Sequence, residues 1–331
     1  MHQGPTVGLA LSHALRAALF DGERERELAA AGTVLDCGDP GALGAALPDV
    51  DILVTGWGMP RLQPHLLDTA PRLKLIAHAG AAIRPFVTEA VFARGIRVTQ
   101  AGAGMARPVA EVALAMTLAL LHRVHRYDHA MRAQRQWPVV GVVTDHHELY
   151  GATVGVVGAS RTGRAYIEMV RPLGARVLLS DPYVTSDAAK HLGVELLPLP
   201  DLLARCRIAC VHAPATPATR HLLGGAELKL LPDGAGLVNT ARSWLVDQEA
   251  LLAELQSGRI DAALDVYDHE PLPADHPYRT LPNVLLTPHA AAATVEGRLR
   301  QGQVLASEVA RFAAGLPLEH ELRAGDLDRF A

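Results

Sequence analysis

Short apolar runs alternate along the chain with stretches of helical spacing. In the first third, residues 7–11, 51–55, 73–78 and 97–99 predict strands. Segments 14–31 and 64–70, rich in Ala, Leu and Arg, predict helices between them. Apolar positions Val109, Val112, Ala113, Met116, Leu120 and Val124 recur at steps of three and four, predicting one long helix over 106–130. An irregular stretch follows over 134–151, with Trp137-Pro138, Gly141 and Asp145-His146-His147, and reads as a surface connection. Strands resume at 153–157, 176–179, 208–212, 235–239, 260–266 and 284–286, and a last helix runs over about 294–314. Alternation of this kind predicts an α/β protein with parallel sheet and helices on both faces.

Composition narrows the class. The chain has 331 residues, enough for about two domains. Aromatics make up only 4%, so the core must rest on Leu, Val, Ile and Ala. The net charge of -4 gives no reason to expect nucleic acid. Three cysteines cannot form a disulfide framework. The most apolar run, 112–121, is about half of what a bilayer crossing needs. The first twenty residues lack a basic lead into an apolar run, so a cytoplasmic protein without a membrane partner is the expectation.

The sharpest local signal is Gly158-Ala-Ser160-Arg-Thr-Gly163 between an apolar strand and a helix. A dinucleotide-binding turn needs small residues to turn tightly, to let backbone approach pyrophosphate and to pack helix on strand. Gly158 and Gly163 fit the first and third needs. Ser160 holds the second, where it adds bulk or offers its hydroxyl to a phosphate oxygen. Asp181 ends the next strand, with 17 residues between it and Gly163. An acid there accepts from ribose hydroxyls and repels a 2′-phosphate, which favours NAD over NADP.

Three further segments fall at strand ends and deliver Arg242, Glu270 and His289. His shuttles protons near neutral pH, and a neighbouring carboxylate favours its charged form. Arg grips a carboxylate through paired hydrogen bonds. Beside a nicotinamide, this set suits hydride exchange at a hydroxyl carbon. Singly, each has a plainer alternative: a loop ion pair, a solvated residue before a turn, and a helix cap.

In this order, several stretches resemble the NAD-dependent D-isomer-specific 2-hydroxyacid dehydrogenase family. They are Pro108-Val-Ala-Glu-Val-Ala-Leu, the Gly158 turn, Ser180-Asp-Pro-Tyr, Val211-His-Ala-Pro, Asn239-Thr-Ala-Arg, Asp265-Val-Tyr with Glu270-Pro-Leu-Pro, and Thr287-Pro-His. The resemblance spans nearly the whole chain. It implies two Rossmann-like or flavodoxin-like parallel-sheet domains with a cleft between them, of the formate/glycerate dehydrogenase type. The substrate domain would be residues 1–104 and 293–331, and the NAD domain 105–292. Arg242 would bind the substrate carboxylate, His289 would exchange the proton and Glu270 would orient His289. Arg161 and Thr162 would meet the pyrophosphate. Ala213, Thr240, Ala241 and Ala291 would line the NADH trough, and Asp265 would sit on its nicotinamide side. His212 is divided between acting near the cofactor and packing at a strand end. Ala79 and Gly80 would offer backbone amides to a 2-hydroxy or 2-keto acid. A homodimer is implied.

Departures from the family pattern are Ser160, the Ala290–Ala293 run after His289, and the loop from Gln100 to Met105. Trp57 and Tyr267 are candidates for facing the substrate. Two other activities stay open: a non-catalytic, NAD-sensing corepressor-like role, and oxidation of phosphite or a phosphonate. Extra basic side chains near the substrate loops would favour the latter, and Arg84 and Arg107 are the candidates. His122, His125 and His129 read as a partly exposed helix face rather than a metal site, and Cys206 and Cys210 as a buried thiol pair.

Overall fold

A computed structural model describes residues 4–133, 135, 137 and 146–327. Pro138, Gly141 and Asp145 of the expected surface connection lie outside the described residues. The chain divides into two units, Met1–Met105 with Ala293–Ala331, and Ala106–Ala292.

The first unit opens with strand β1 (Thr6–Ala10), helices α1 (His13–Leu19) and α2 (Gly22–Ala31), and β2 (Thr33–Gly38). The sequence predicts one helix over 14–31. The chain breaks it because the Asp21 carboxylate caps a new helix, accepting from the N–H groups of Glu23 and Arg24. Strand β2 was not expected. It is an edge strand carrying Asp36 and a terminal glycine, so it lacks the apolar run that marks a central strand. Strands β3 (Ile52–Thr55), β4 (Leu75–His78) and β5 (Arg97–Gln100) and the short helix α3 (Pro64–Leu67) follow as expected, and a further short helix, α4 (Glu89–Ala93), precedes β5. All of β3 and β4 is buried.

The second unit begins with α5 (Ala106–Leu121) and α6 (Val124–Arg132). These replace the single helix expected over 106–130. Arg123 adopts a left-handed φ of 53° at the break, and its guanidinium bonds the buried Asp261 carboxylate and, at 3.1 Å, the Gly234 carbonyl. His125 reaches the same carboxylate at 3.0 Å and Arg126 at 2.5 Å. His125 is therefore buried, whereas His122 and His129 are partly exposed. The stretch Gly102–Leu121 is long and apolar enough to cross a membrane, beyond the shorter run expected from sequence. Its apolar side chains Ala110, Ala113, Met116 and Leu120 are buried in this unit's core, where α5 packs on the helix after the Gly158 turn. That burial accounts for its composition.

The remaining strands of this unit are β6 (Thr153–Val157), β7 (Arg176–Ser180), β8 (Glu195–Leu196), β9 (Ile208–Val211), β10 (Gly236–Asn239), β11 (Asp261–Leu264) and β12 (Val284–Leu286). Between them lie α7 (Arg161–Val170), α8 (Ser186–Leu192), α9 (Leu199–Arg205), α10 (Gly225–Leu230) and α11 (Gln248–Gln256). All seven strands are parallel, in the order β12-β11-β10-β9-β6-β7-β8. The order reverses between β9 and β6, the kind of switch point at which open parallel sheets bind ligands.

The chain then returns to the first unit. Helix α12 (Val295–Ala313) lays Leu305, Ala306 and Val309 against Val7, Leu9, Ile52, Val54 and Leu75. Strand β13 (Glu321–Leu322) pairs antiparallel with β5, giving the order β13-β5-β4-β3-β1-β2. Buried Glu308 of α12 ties the two together, accepting from Thr99 Oγ1 at 2.6 Å and from the Glu319 N–H at 2.9 Å.

Candidate active site

In the second unit, the expected site residues converge on the carboxyl ends of strands. After β6, Gly158 takes φ 97°, and a Cβ there would sit 2.6 Å from the Ala213 backbone. A Cβ on Gly163 would collide with the Gly158 carbonyl oxygen. Both positions therefore require glycine. Ser160 is the N-cap of α7, its Oγ accepting from Gly163 N–H at 3.2 Å. The serine's bulk is thus turned to closing the helix, and the Arg161 and Thr162 N–H groups at the helix start have no intrahelical acceptor. Asp181 accepts from Ala159 N–H at 2.7 Å and Tyr183 N–H at 2.8 Å, so its carboxylate is fixed against the glycine turn.

After β9, His212 is buried against the Tyr166 ring, with ring centroids 5.1 Å apart. Neither ring nitrogen has a hydrogen-bond partner among the described residues, and burial pulls its pKa down to about 4. It is neutral and packs on that ring beneath the turn. After β10, Asn239 folds the next loop, donating to the Arg242 carbonyl at 2.9 Å and accepting from Ala241 N–H at 3.0 Å. The buried Thr240 hydroxyl has no partner among the described residues. Arg242 lies largely in the protein, where burial lowers its pKa and the charge of Glu270 works against that lowering.

After β11 and β12 the proton-transfer pair forms. His289 Nδ1 lies 2.6 Å from Glu270 Oε2, and Glu270 Oε1 accepts from Tyr267 N–H at 3.0 Å. His289 holds φ 53°, a conformation that costs energy in a non-glycine residue and persists because its loop is tied on both sides. The tie is Asp265, which accepts from Thr287 Oγ1 at 2.5 Å, Ala290 N–H at 2.9 Å and Ala291 N–H at 3.0 Å. With Nδ1 donating to the carboxylate, Nε2 is the nitrogen left to give or take a proton.

The family model described as D-isomer specific 2-hydroxyacid dehydrogenase, NAD binding domain, matches residues 114–291. The chain belongs to this dehydrogenase family. A glyoxylate reductase of Aeropyrum pernix is 37% identical over 265 residues, 77% of this chain and 78% of that protein. A D-3-phosphoglycerate dehydrogenase of Archaeoglobus fulgidus is 33% identical over 272 residues, 81% of this chain. The chain spans about half the length of that dehydrogenase. Among solved structures, the TT0316 protein of Thermus thermophilus superposes with a TM-score of 0.80 at 28% identity, over 96% of this chain and 100% of that one. A D-mandelate dehydrogenase of Rhodotorula graminis, 22% identical, shares the fold with a TM-score of 0.84, over 96% of this chain and 97% of that one.

The NAD-binding domain of this dehydrogenase family needs a place for pyrophosphate and ribose. The residues present fit: a turn closed to any Cβ, amide donors at a helix start, a fixed acid at the next strand end and a buried Thr240 hydroxyl without a partner among the described residues.

Other expectations need amending. Tyr267 is buried, and its hydroxyl donates to the Leu264 and Thr287 carbonyls. In the first unit, the Ala79 N–H already donates to the Thr55 carbonyl at 2.8 Å, leaving Gly80 to offer the loop amide. Arg107 pairs with Glu111 at 3.0 Å. As expected, Cys206 and Cys210 are buried, and burial pushes their thiols up to about 12 and about 11. Sequence reasoning missed Asn239, whose loop-folding role shows only in its bonds. It also missed Arg298, although an Arg at i, i+3 and i+7 from buried Gln301 and Leu305 sits on the apolar stripe of its helix.

Proposed function

We propose that this chain is an NAD-dependent D-2-hydroxyacid dehydrogenase that reduces a 2-keto acid. The observation that carries this reading is the 2.6 Å His289–Glu270 pair on strand ends shared with Arg242. NADH supplies the hydride when bound. Arg242 grips the substrate carboxylate and polarises the 2-carbonyl. His289 gives the Nε2 proton to the carbonyl oxygen, and takes it back in oxidation. Glu270 holds the imidazole by Nδ1. Gly158, Arg161, Thr162 and Gly163 hold the pyrophosphate, and Asp181 selects NAD over NADP. Ala213, Thr240, Ala241, Asp265 and Ala291 line the cofactor's path, and the Gly80 amide meets the substrate carboxylate. A cytoplasmic homodimer completes the reading.

The test is NADH and NADPH oxidation against glyoxylate, pyruvate, hydroxypyruvate and branched or aromatic 2-keto acids. Turnover with NADH is expected, with a loss of about 10²–10⁴-fold in His289→Ala while NADH still binds. Arg242→Ala abolishes it. Silence across the panel with intact NADH binding would move the protein to a cofactor-sensing role. Reduction of NAD⁺ by phosphite instead would make it a phosphite dehydrogenase of the same fold.

A further inference from the structure

In the first unit the strand order reverses between β1 and β3. Trp57 follows β3 at this reversal and is 48% exposed. The Arg298 guanidinium carbon lies over its ring, 4.5 Å from the centroid. It also donates to Gln301 Oε1 at 3.1 Å, and Gln301 is fully buried with its Nε2 unpartnered among the described residues. The benzo edge of the same Trp57 lies 3.3 Å from where a Cβ on Gly80 would be. The Gly80 amide, the Trp57 face and the Arg298 cation therefore share one surface of this unit.

No described carboxylate pairs with Arg298. Burial lowers its pKa, so the charge is held at a cost in solvation. A half-buried cation fixed by stacking and by an amide, without an acid beside it, is set to receive an anion. The reacting carboxylate already has Arg242 and the Gly80 amide in the reading above. A second guanidinium, on the same surface as the Gly80 amide, exceeds what a singly charged keto acid needs.

We propose that Arg298 is a specificity-determining residue for a second anionic group on the substrate, a carboxylate or a phosphate carried on the side chain of the 2-keto acid. The proposal rests on the dehydrogenase reading, and the test separates the two. Pyruvate, oxaloacetate, 2-oxoglutarate and phosphohydroxypyruvate are compared by NADH turnover in the wild type, Arg298→Met and Arg298→Lys. The doubly charged substrates are expected to be preferred. Arg298→Met is expected to lower their kcat/KM by about 10–100-fold, chiefly through KM, and to shift pyruvate less than about threefold. Lys is expected to restore part of the loss. The carboxylate and phosphate arms identify which anion fits.

Calorimetric titration of the NAD⁺-loaded wild type and Arg298→Met with the same acids reads the preference without turnover. Preferential binding of the doubly charged acids, lost in Arg298→Met, with no turnover, sinks the dehydrogenase reading and keeps the anion site. Turnover of pyruvate without preference, or an equal fall for all four acids, overturns the role of Arg298 and leaves the dehydrogenase intact. No binding of any doubly charged acid also overturns it.

Discussion

Two buried histidines set the acid limit of the fold. His78 packs on Phe86 with ring centroids 4.4 Å apart, and His212 packs on Tyr166. Burial depresses their pKa values to about 3 and about 4, against an ordinary 6.5. Both are therefore neutral when folded, and the unfolded chain takes up protons first as pH falls below 6.5. Stability is full above that value and declines through pH 6 and 5 toward the folded pKa values. At pH 5 each histidine costs about 2 kcal/mol. The urea midpoint is expected to drop markedly between pH 7 and pH 5, and less so in His212→Asn. An unchanged midpoint would show that both rings find partners for their protons. At this scale the glycines of the nucleotide turn were legible, because their spacing alone carries the requirement for small residues. Arg298 was not, because its meaning depends on Trp57, which lies far away in the chain.

At the scale of elements, the break between α5 and α6 is a tertiary effect. The apolar spacing continues through Val124, so the sequence reads as one helix. What interrupts it is Asp261 at the start of β11, whose carboxylate collects Arg123, His125 and Arg126. Hydrogen bonds from His125 and Arg126 and the charges of Arg123 and Arg126 hold its pKa down at about 2 despite burial. Its contribution is therefore present above the ordinary carboxylate range and is lost as pH falls toward 2. Asp261→Asn leaves buried Arg123 facing a neutral group and is expected to cost about 3–5 kcal/mol. For a unit of this size, a thermal midpoint about 10 °C lower checks it. Edge strands β2, β8 and β13 escaped sequence reading for a related reason: strands β8 and β13 are two residues long, and their pairing belongs to the neighbour as much as to themselves.

At the scale of the whole molecule, the chain leaves the first unit after Met105 and re-enters it at Ala293. The alternation of strands and helices made both parallel sheets legible. The return of the tail was not in the periodicity and came only with the family resemblance. A chain ending at residue 292 lacks α12 and β13, exposing Leu9, Val54 and Leu75 on one face of the first sheet. In hydrogen exchange, such a chain is expected to lose protection over 6–100 and keep it over 106–292. Protection retained in both stretches would mean that the first sheet is stable without its covering helix.

That re-entry inverts the order in which the ribosome can complete the molecule. The strands made first cannot be covered until α12 has cleared the exit tunnel, whereas the second unit has its whole sequence by Ala292. Domains tend to fold as units during synthesis. Here the unit begun first closes last, and its open sheet is the surface a chaperone meets while the nucleotide domain is already formed.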